Sequence, residues 1–460
     1  MLRDSISPFK SKIDGHTELR IQRNIDRMVG LVSGNITQNA SSEIIGLCSR
    51  VYDRGYWGFA SSADCGGDNV AGVIDAAKRN AAFLTGKLGA KKPALPALQA
   101  GRRATKAVEN DSKQKTIIEF ARTLDAYITR KYPGLTARRL IAGGDAIEKY
   151  IVSSDGADGY ALIPRGRVYC EMSAKADDGS IIEYGDYLGE GAGFFADLFD
   201  SPDALYEKVD ALYGILMRKR EGVYADAGVR DVVMDSKLAG ILAHEAIGHT
   251  TEADLVLGGS VAGAYLGKQA ASEIVTMVDF ANTALGEDAP QPIFVDDEGT
   301  IARDVTIIED GVLKAYMHNR ETALHFGREP TGNARAYLYS DEPLVRMRNT
   351  AILPGSSKLE DMIASIDDGY YLTQTGNGQA DLTSEFMFSV NMGYEIKKGK
   401  LGRAIRDTTI SGVAFDLLRT VTMLSDEMTW SSSGMCGKKQ PMPVGMGGPS
   451  VKCRVNMGGR

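Results

Sequence analysis

The chain has 460 residues, 43% of them apolar and 25% charged, and a formal net charge of −7. This length exceeds one ordinary hydrophobic core, so two or three domains are expected. The acidic balance argues against a broad surface for nucleic acid or anionic lipid, and no apolar run is long enough to cross a bilayer. Five scattered cysteines without a CxxC pair, and a start without the apolar stretch of a secretory signal, favour a cytoplasmic protein with free thiols.

The first part of the chain mixes extended and helical patterns. Residues 18–60 predict strands together with a helix, and another helix is predicted at 69–84. The stretch 85–104 is rich in Lys, Pro, Gly and Ala and has little periodicity, which is typical of a connection between subdomains. Apolar spacing then predicts a helix from about residue 111 to the sequence KYPG at 131–134.

Strands dominate the later part of the chain. A block of strands is predicted at 149–189, with the turn sequence DDGS inside it, and a helix follows at 201–220. Beyond about residue 230 the β patterns are interrupted only by short helices. We therefore predict an α+β fold, with an α/β N-terminal half and a mainly β C-terminal half that carries a kinked helix. The predicted subdomains are 1–105, 106–228 and 229–460.

The stretch ILAHEAIGHTTEAD, residues 241–254, contains two of the five histidines of the chain, with Glu245 directly after the first. Zinc proteases space such a pair at four residues, because positions i and i+4 share one face of a helix. Here His244 and His249 are five apart, which leaves them roughly 140° from each other in a regular helix. A π-type bulge absorbs one extra residue, and the glycine before the second histidine lowers the cost of a kink. We therefore predict a bent helix at about 235–253 that turns both imidazoles toward one metal ion.

The chemistry of this stretch is that of a catalytic zinc site. Such a zinc usually has three protein ligands and an open position for a water molecule, whose pKa it lowers to about 7. Glu245 is placed to take the proton of that water as general base and to pass it to the leaving amine. With both histidines as ligands, a third ligand is needed, and local chemistry leaves it open among Glu252, Asp254, His318, His325, Cys65 and Cys436. Cys436 is placed somewhat ahead, because two lysines follow it closely and favour a thiolate.

Five segments carry a resemblance to a known family: LAHEAIGH, VDDEGTIARDVTIIEDGVLKAYM, EPTGNARA, VRMRNTAILPG and GMCGKKQPMPVGMGGPSVK. They look like segments of the TldD/PmbA family of zinc metalloproteases, and the resemblance is strongest from about residue 230 to 455. In this family the active TldD type carries HExxxH, whereas the PmbA type, also called TldE, has lost it. The resemblance therefore implies the active type.

The resemblance also implies roles for individual residues. His244 and His249 would be zinc ligands, Glu245 the general base, and Cys436 the third ligand. Two further residues, Arg346 and Asn349, lie in a family motif and are expected to help shape the cleft, although an ordinary strand with polar side chains explains them as well. The turn at 296–298, with the sequence Asp-Asp-Glu, matches another motif, and a carboxylate-rich turn before a hairpin explains it equally.

The family further implies cleavage of peptides or unfolded protein segments, by a homodimer or by a heterodimer with a PmbA/TldE-like subunit. Direct contact with nucleic acid or membrane is not expected. The alternative is a non-catalytic scaffold or binding subunit, in which Glu252 or Asp254 closes a structural zinc site as fourth ligand. That alternative leaves the glutamate after the first histidine unexplained.

Overall fold

Two large β-sheets, one in each half of the chain, organise the computed structural model, which describes residues 2–89, 94–96, 98, 101–104, 110 and 112–459. The described α-helices are α1 (Leu2–Ile6), α2 (Gly67–Leu88), α3 (Gln114–Lys131), α4 (Phe195–Leu198), α5 (Tyr206–Arg220), α6 (Ser236–Ile241), α7 (Ala253–Leu257), α8 (Arg320–Phe326), α9 (Leu359–Ala364) and α10 (Ala414–Arg419). The strands of the N-terminal half are β1 (His16–Val32), β2 (Asn35–Asp53), β3 (Tyr56–Ser62), β4 (Gly101–Ala104), β5 (Ala137–Ser153), β6 (Ala157–Lys175) and β7 (Ile181–Ala192).

The N-terminal sheet has the strand order β3-β2-β1-β5-β6, and β4 and β7 both pair with β6. Every pair is antiparallel except β4 with β6. Helices α3 and α5 cover this sheet, and the apolar residues Ile117, Leu124 and Ile128 of α3 are buried in the shared core. Their spacing of seven and four residues belongs to the pattern that predicted the helix, and it places them on one face.

Two expectations for the N-terminal half differ from the structure. The helix predicted within 18–60 is wrong, because β1, β2 and β3 fill this range. Residues 46–52 of β2 are buried on both faces, so the segment lacks the alternation that marks a half-exposed strand. Of the predicted connection 85–104, α2 takes up its beginning and β4 its end, while residues 90–93, 97, 99 and 100 lie outside the described residues.

The turn predicted from the sequence DDGS joins β6 to β7. Asp178 Oδ1 accepts a hydrogen bond from Ser180 N at 2.9 Å, and Gly179 adopts a left-handed φ of +85°. Strands from both sides of the predicted boundary at residue 105 share one sheet, since β1 pairs with β5 along most of its length. The boundaries at 105 and 228 themselves stay predictions.

The C-terminal half contains an eleven-stranded sheet, and its predicted mainly β character is confirmed. Its strands and two short ribbons are β8 (Gly228–Met234), β9 (Met277–Phe280), β10 (Thr283–Ala284), β11 (Glu287–Asp288), β12 (Val305–Glu309), β13 (Val312–Leu313), β14 (Ala334–Arg335), β15 (Leu344–Val345), β16 (Asn349–Ile352), β17 (Asp368–Ala380), β18 (Glu385–Lys397), β19 (Lys400–Ile405), β20 (Thr408–Val413), β21 (Met423–Lys438) and β22 (Gln440–Met457). The order β22-β20-β18-β17-β8 closes on itself because β22 also pairs with β8. Helix α6 packs against β22 and β17, so the chain after it enters the largest core of the protein.

Buried ion pairs join the two halves at the predicted Asp-Asp-Glu turn. Arg50 on β2 pairs with Glu298 at 3.1 Å, and Lys149 on β5 pairs with Asp297 at 2.6 Å. Asp296 accepts backbone hydrogen bonds from the turn itself and from Ala334. The turn therefore connects the N-terminal sheet to the C-terminal half. Among the described residues, the helices are all too short or too polar to span a bilayer.

Candidate metal centre

The histidine-bearing segment begins as an ordinary helix and then widens. Asp235 caps α6 by accepting a hydrogen bond from Leu238 N at 2.8 Å. The next residues, Leu242–Gly248, form a π-helix in which His249 N donates to His244 O, five residues back. This wide turn is the distortion that the histidine spacing predicted, and it places the two imidazole centroids 5.2 Å apart. The single helix predicted to residue 253 instead breaks at Glu252, whose backbone is extended, before α7 begins.

Gly248 has a different role from the one its sequence position suggested. Its φ of −56° lies in the ordinary helical region, so a special backbone conformation does not require glycine there. A Cβ atom at this position would lie 2.0 Å from Met347 Sδ. The missing side chain therefore lets Met347, in the segment between β15 and β16, approach the π-helix closely.

His244, His249 and Cys436 come together although the cysteine lies 187 residues beyond the second histidine. Their candidate ligand atoms all lie within 4.8 Å of one another, and His249 Nε2 is 3.2 Å from Cys436 Sγ. On a tetrahedral zinc, nitrogen and sulfur ligands stand roughly 3.5 Å apart. Both ring nitrogens of His244 are buried without a hydrogen-bond partner in the described part of the chain. A metal ion would satisfy one of them, so the donor set fits zinc.

Cys436 reaches the histidines on the hairpin formed by β21 and β22, where it pairs with Met442. Burial alone raises the pKa of its thiol, but the two adjacent imidazoles outweigh burial and lower that pKa to about 5. The guanidinium of Arg346 donates to the carbonyl of Cys436 at 2.8 Å, which fixes the backbone at the ligand. The side chain is therefore disposed toward the thiolate form that zinc binds.

The other candidate ligands do not join this cluster. Cys65 lies in the loop before α2 and packs against an N-terminal core, and His325 is exposed on α8. His318 is buried, with its Nδ1 3.2 Å from Thr322 Oγ1. Glu252 lies next to the cluster without being part of it, since its Oε2 is 2.9 Å from Nδ1 of His249, the nitrogen on the far side of the ring from Cys436.

Glu245 lies at the edge of the ligand cluster. Its Oε2 is 3.8 Å from His249 Nε2, and its side chain keeps about a quarter of its surface accessible, with a relative exposure of 26%. A cavity of about 190 Å³ has Ile241 in its lining, one turn before Glu245, together with Gly434, two residues before Cys436. The carboxylate is thus positioned between the candidate ligands and solvent.

Arg346 and Asn349, the two residues expected at the cleft, are fully buried. Arg346 donates to the carbonyls of Cys436 and Gln440 at 2.8 and 2.9 Å. Asn349 donates to backbone carbonyls, among them that of Gln291 at 2.8 Å. Both side chains therefore hold backbone in the structure, and contact with a substrate stays a prediction for them.

Known proteins and family models match this chain along most of its length. Models of PmbA/TldA metallopeptidases match the chain at 17–81 for domain 1, at 109–212 for the central domain and at 227–459 for the C-terminal domain. A metalloprotease of Methanocaldococcus jannaschii is 30% identical over 457 residues, or 96% of each chain. A zinc metalloprotease TldD homolog of Saccharolobus solfataricus is 33% identical over 280 residues, which is 60% of this chain and 61% of that protein.

Shorter matches and solved structures complete the comparison. A metalloprotease TldD homolog of Buchnera aphidicola is 38% identical over 51% of this chain, and the match spans only 49% of the relative's own length. The crystal structure of TldE from Thermococcus kodakarensis superposes with a TM-score of 0.78 at 18% identity, covering 100% of this chain and 99% of that one. A structure from Thermotoga maritima, described as a modulator of DNA gyrase, gives a TM-score of 0.77 at 18% identity over 99% of this chain and 98% of that one. At such identities these structures support the fold alone.

Proposed function

The chain belongs to the PmbA/TldA metallopeptidase family, and from its metal centre we propose that it is a zinc-dependent peptidase of the TldD type that hydrolyses peptides or unfolded protein segments. The observation that carries this proposal is the meeting of His244, His249 and Cys436, with both ring nitrogens of His244 unsatisfied among the described residues. The three side chains would hold the ion, and the chain keeps the glutamate that a merely structural site does not need.

When bound, zinc would lower the pKa of a water molecule to about 7 and polarise the carbonyl of the scissile peptide. Glu245 would take the proton of the attacking water and then donate it to the nitrogen of the leaving amine as the C–N bond breaks. Its partly exposed carboxylate beside His249 supports this role. Arg346 would act indirectly, by fixing the carbonyl of Cys436 and with it the position of the thiolate.

The cavity that Ile241 and Gly434 help to line supports a peptide as substrate. Its lining combines the side chains of Tyr187, Ile241 and Met446 with the polar groups of Glu190 and Gln374. A cleft of this mixed character suits a chain that offers both backbone amides and side chains. A cavity of about 190 Å³ suits a short or unfolded segment better than a folded domain.

The scaffold alternative requires a fourth protein ligand, and the structure gives its two candidates other partners. Glu252 Oε2 is within hydrogen-bond distance of His249 Nδ1 and Lys438 Nζ, at 2.9 and 3.1 Å. Both carboxylate oxygens of Asp254 accept from Lys438 Nζ, at 2.7 and 2.8 Å. Neither carboxylate belongs to the cluster of candidate ligand atoms, so the geometry favours a site with an open position.

The proposal extends to assembly and location. Association with a second copy or with a TldE-like subunit is part of the proposal, because the family resemblance implies it. All five cysteines are free thiols, which supports a reducing compartment such as the cytoplasm.

Removing the metal should abolish the activity and restoring zinc should recover it. We expect protein treated with a chelator and then dialysed to leave unfolded casein and short peptides intact, because the ligand cluster is then without its ion. One equivalent of zinc should restore cleavage, as measured by the appearance of new peptide amines. Cleavage that persists in zinc-free protein would contradict the proposal, and so would a zinc-loaded protein that leaves every unfolded substrate intact.

A further inference from the structure

The hairpin that carries Cys436 has a second attachment to the histidine segment, through Lys438. This lysine lies two residues after the cysteine, and its side chain is almost buried, with a relative exposure of 11%. Its Nζ atom lies 3.1 Å from Glu252 Oε2 and 2.7 Å from Asp254 Oδ1, and it donates to Val345 O at 2.9 Å. The lysine therefore ties the hairpin to the backbone break that follows the second histidine.

Glu252 continues this connection to a candidate ligand. Its side chain is completely buried, and the Oε2 atom that lies near Lys438 also lies 2.9 Å from His249 Nδ1. The other ring nitrogen of His249 faces Cys436 Sγ. One carboxylate oxygen thus fixes the tautomer and ring plane of the histidine, because an imidazole that donates from Nδ1 presents the lone pair of Nε2 to a metal.

We propose that Lys438 and Glu252 are positioning residues of the metal centre, which clasp the cysteine hairpin to the second histidine so that the ligand set is in place before the ion binds. The inference rests on the proposed function. It goes further in assigning the two carboxylates after the second histidine to orientation of ligands, with Asp254 as the second anchor of the lysine. The contacts run from Cys436 along its own hairpin to Lys438, then through Glu252 to His249.

Loss of the contacts made by Lys438 and Glu252 should lower the affinity for zinc. Replacing a group that orients a metal-bound histidine typically lowers metal affinity 10–100-fold. We expect Glu252→Gln and Lys438→Met each to weaken zinc binding within this range, the first by loosening the imidazole and the second by releasing the hairpin. Both residues act through one chain of contacts. A double variant that combines Glu252→Gln with Lys438→Met should therefore bind zinc only slightly more weakly than the single variant with the larger loss of affinity.

The experiment is a competition of the purified full-length protein with a chromogenic zinc chelator, in wild type and in both variants. The matched control is Lys439→Met, which removes the same charge one residue later, where the lysine is exposed. Saturation with Co²⁺ gives a second reading, since the thiolate and ligand-field absorption bands report the geometry around the ion. We expect altered bands in Glu252→Gln and Lys438→Met, and wild-type bands in Lys439→Met.

Lys438→Met leaves two acidic groups without their cation, and a poorly folded variant would also lose metal. Lys438→Met combined with Asp254→Asn removes one of those charges, and we expect it to fold and still to bind zinc 10–100-fold more weakly than wild type. Wild-type affinity and cobalt bands in this variant and in Glu252→Gln would overturn the inference while leaving the proposed function intact. Absence of tight zinc binding in the wild type would overturn both.

Discussion

Replacing Glu245 with glutamine is expected to lower the rate of peptide hydrolysis by about two to four orders of magnitude, because a positioned general base contributes about that much. The amide has nearly the same shape as the carboxylate but cannot accept the proton of the attacking water. Glu245 is outside the cluster of candidate ligands, and its Oε2 lies 3.8 Å from His249 Nε2. Zinc should therefore remain bound in the variant.

The measurement is kcat/KM on a short chromogenic peptide, with zinc content determined on the same sample. Glu207→Gln is the matched control, since Glu207 is exposed on α5 in the N-terminal half and the variant removes the same charge. The control should retain wild-type activity. Full activity in zinc-loaded Glu245→Gln would show that another group accepts the proton, and the proposed mechanism would then be wrong.

Replacing Cys436 with serine is expected to remove both the zinc and the activity. A serine hydroxyl is a poor zinc ligand compared with a thiolate, and the low pKa of about 5 makes Cys436 a thiolate at neutral pH. The loss of affinity should exceed the 10–100-fold that outer groups contribute, since here a ligand itself is lost. Equilibrium dialysis against buffered zinc, followed by metal analysis, measures it.

Cys65→Ser provides the control for this prediction. Cys65 is the cysteine that local chemistry left as a competitor, and the structure places it in the N-terminal half, away from both histidines. We expect this variant to bind one zinc and to cleave peptides as the wild type does. Zinc retained by Cys436→Ser at wild-type affinity would mean that another residue supplies the third ligand.

The comparison of these two cysteines shows what the sequence can decide at the site. The histidine pair and its π-helical turn follow from local spacing, because five residues between ligands require a wider turn than an α-helix provides. Cys436 joins them across 187 residues through the packing of a β-hairpin, which no local pattern reports. For the third ligand, only the resemblance to the TldD/PmbA family decided between Cys436 and Cys65.

The carboxylates after the second histidine illustrate the same limit. Their position in the sequence makes Glu252 and Asp254 reasonable candidates for a fourth ligand. The structure gives both of them Lys438 as a partner, and this lysine arrives from 184 residues or more further along the chain. A long-range ion pair of this kind leaves no local pattern in the sequence.

In the fold, too, local patterns predict some elements, whereas the pairing of distant segments could not be predicted. The α3 helix and the turn at Asp178 follow from periodicity and turn chemistry, and the α+β class follows from the change in pattern near residue 230. The helix expected within 18–60 was wrong, because strand β2 is buried on both faces over residues 46–52 and so does not alternate. Pairing of β1 with β5, which unites the first two predicted subdomains in one sheet, depends on contacts between distant segments.

The position of zinc itself can be measured by anomalous diffraction on both sides of the zinc absorption edge, from crystals of zinc-loaded protein. We expect one strong peak bonded to His244, His249 and Cys436, with a fourth position open to solvent near Glu245. A peak at another place, or a closed shell completed by Glu252 or Asp254, would contradict a catalytic zinc at this centre.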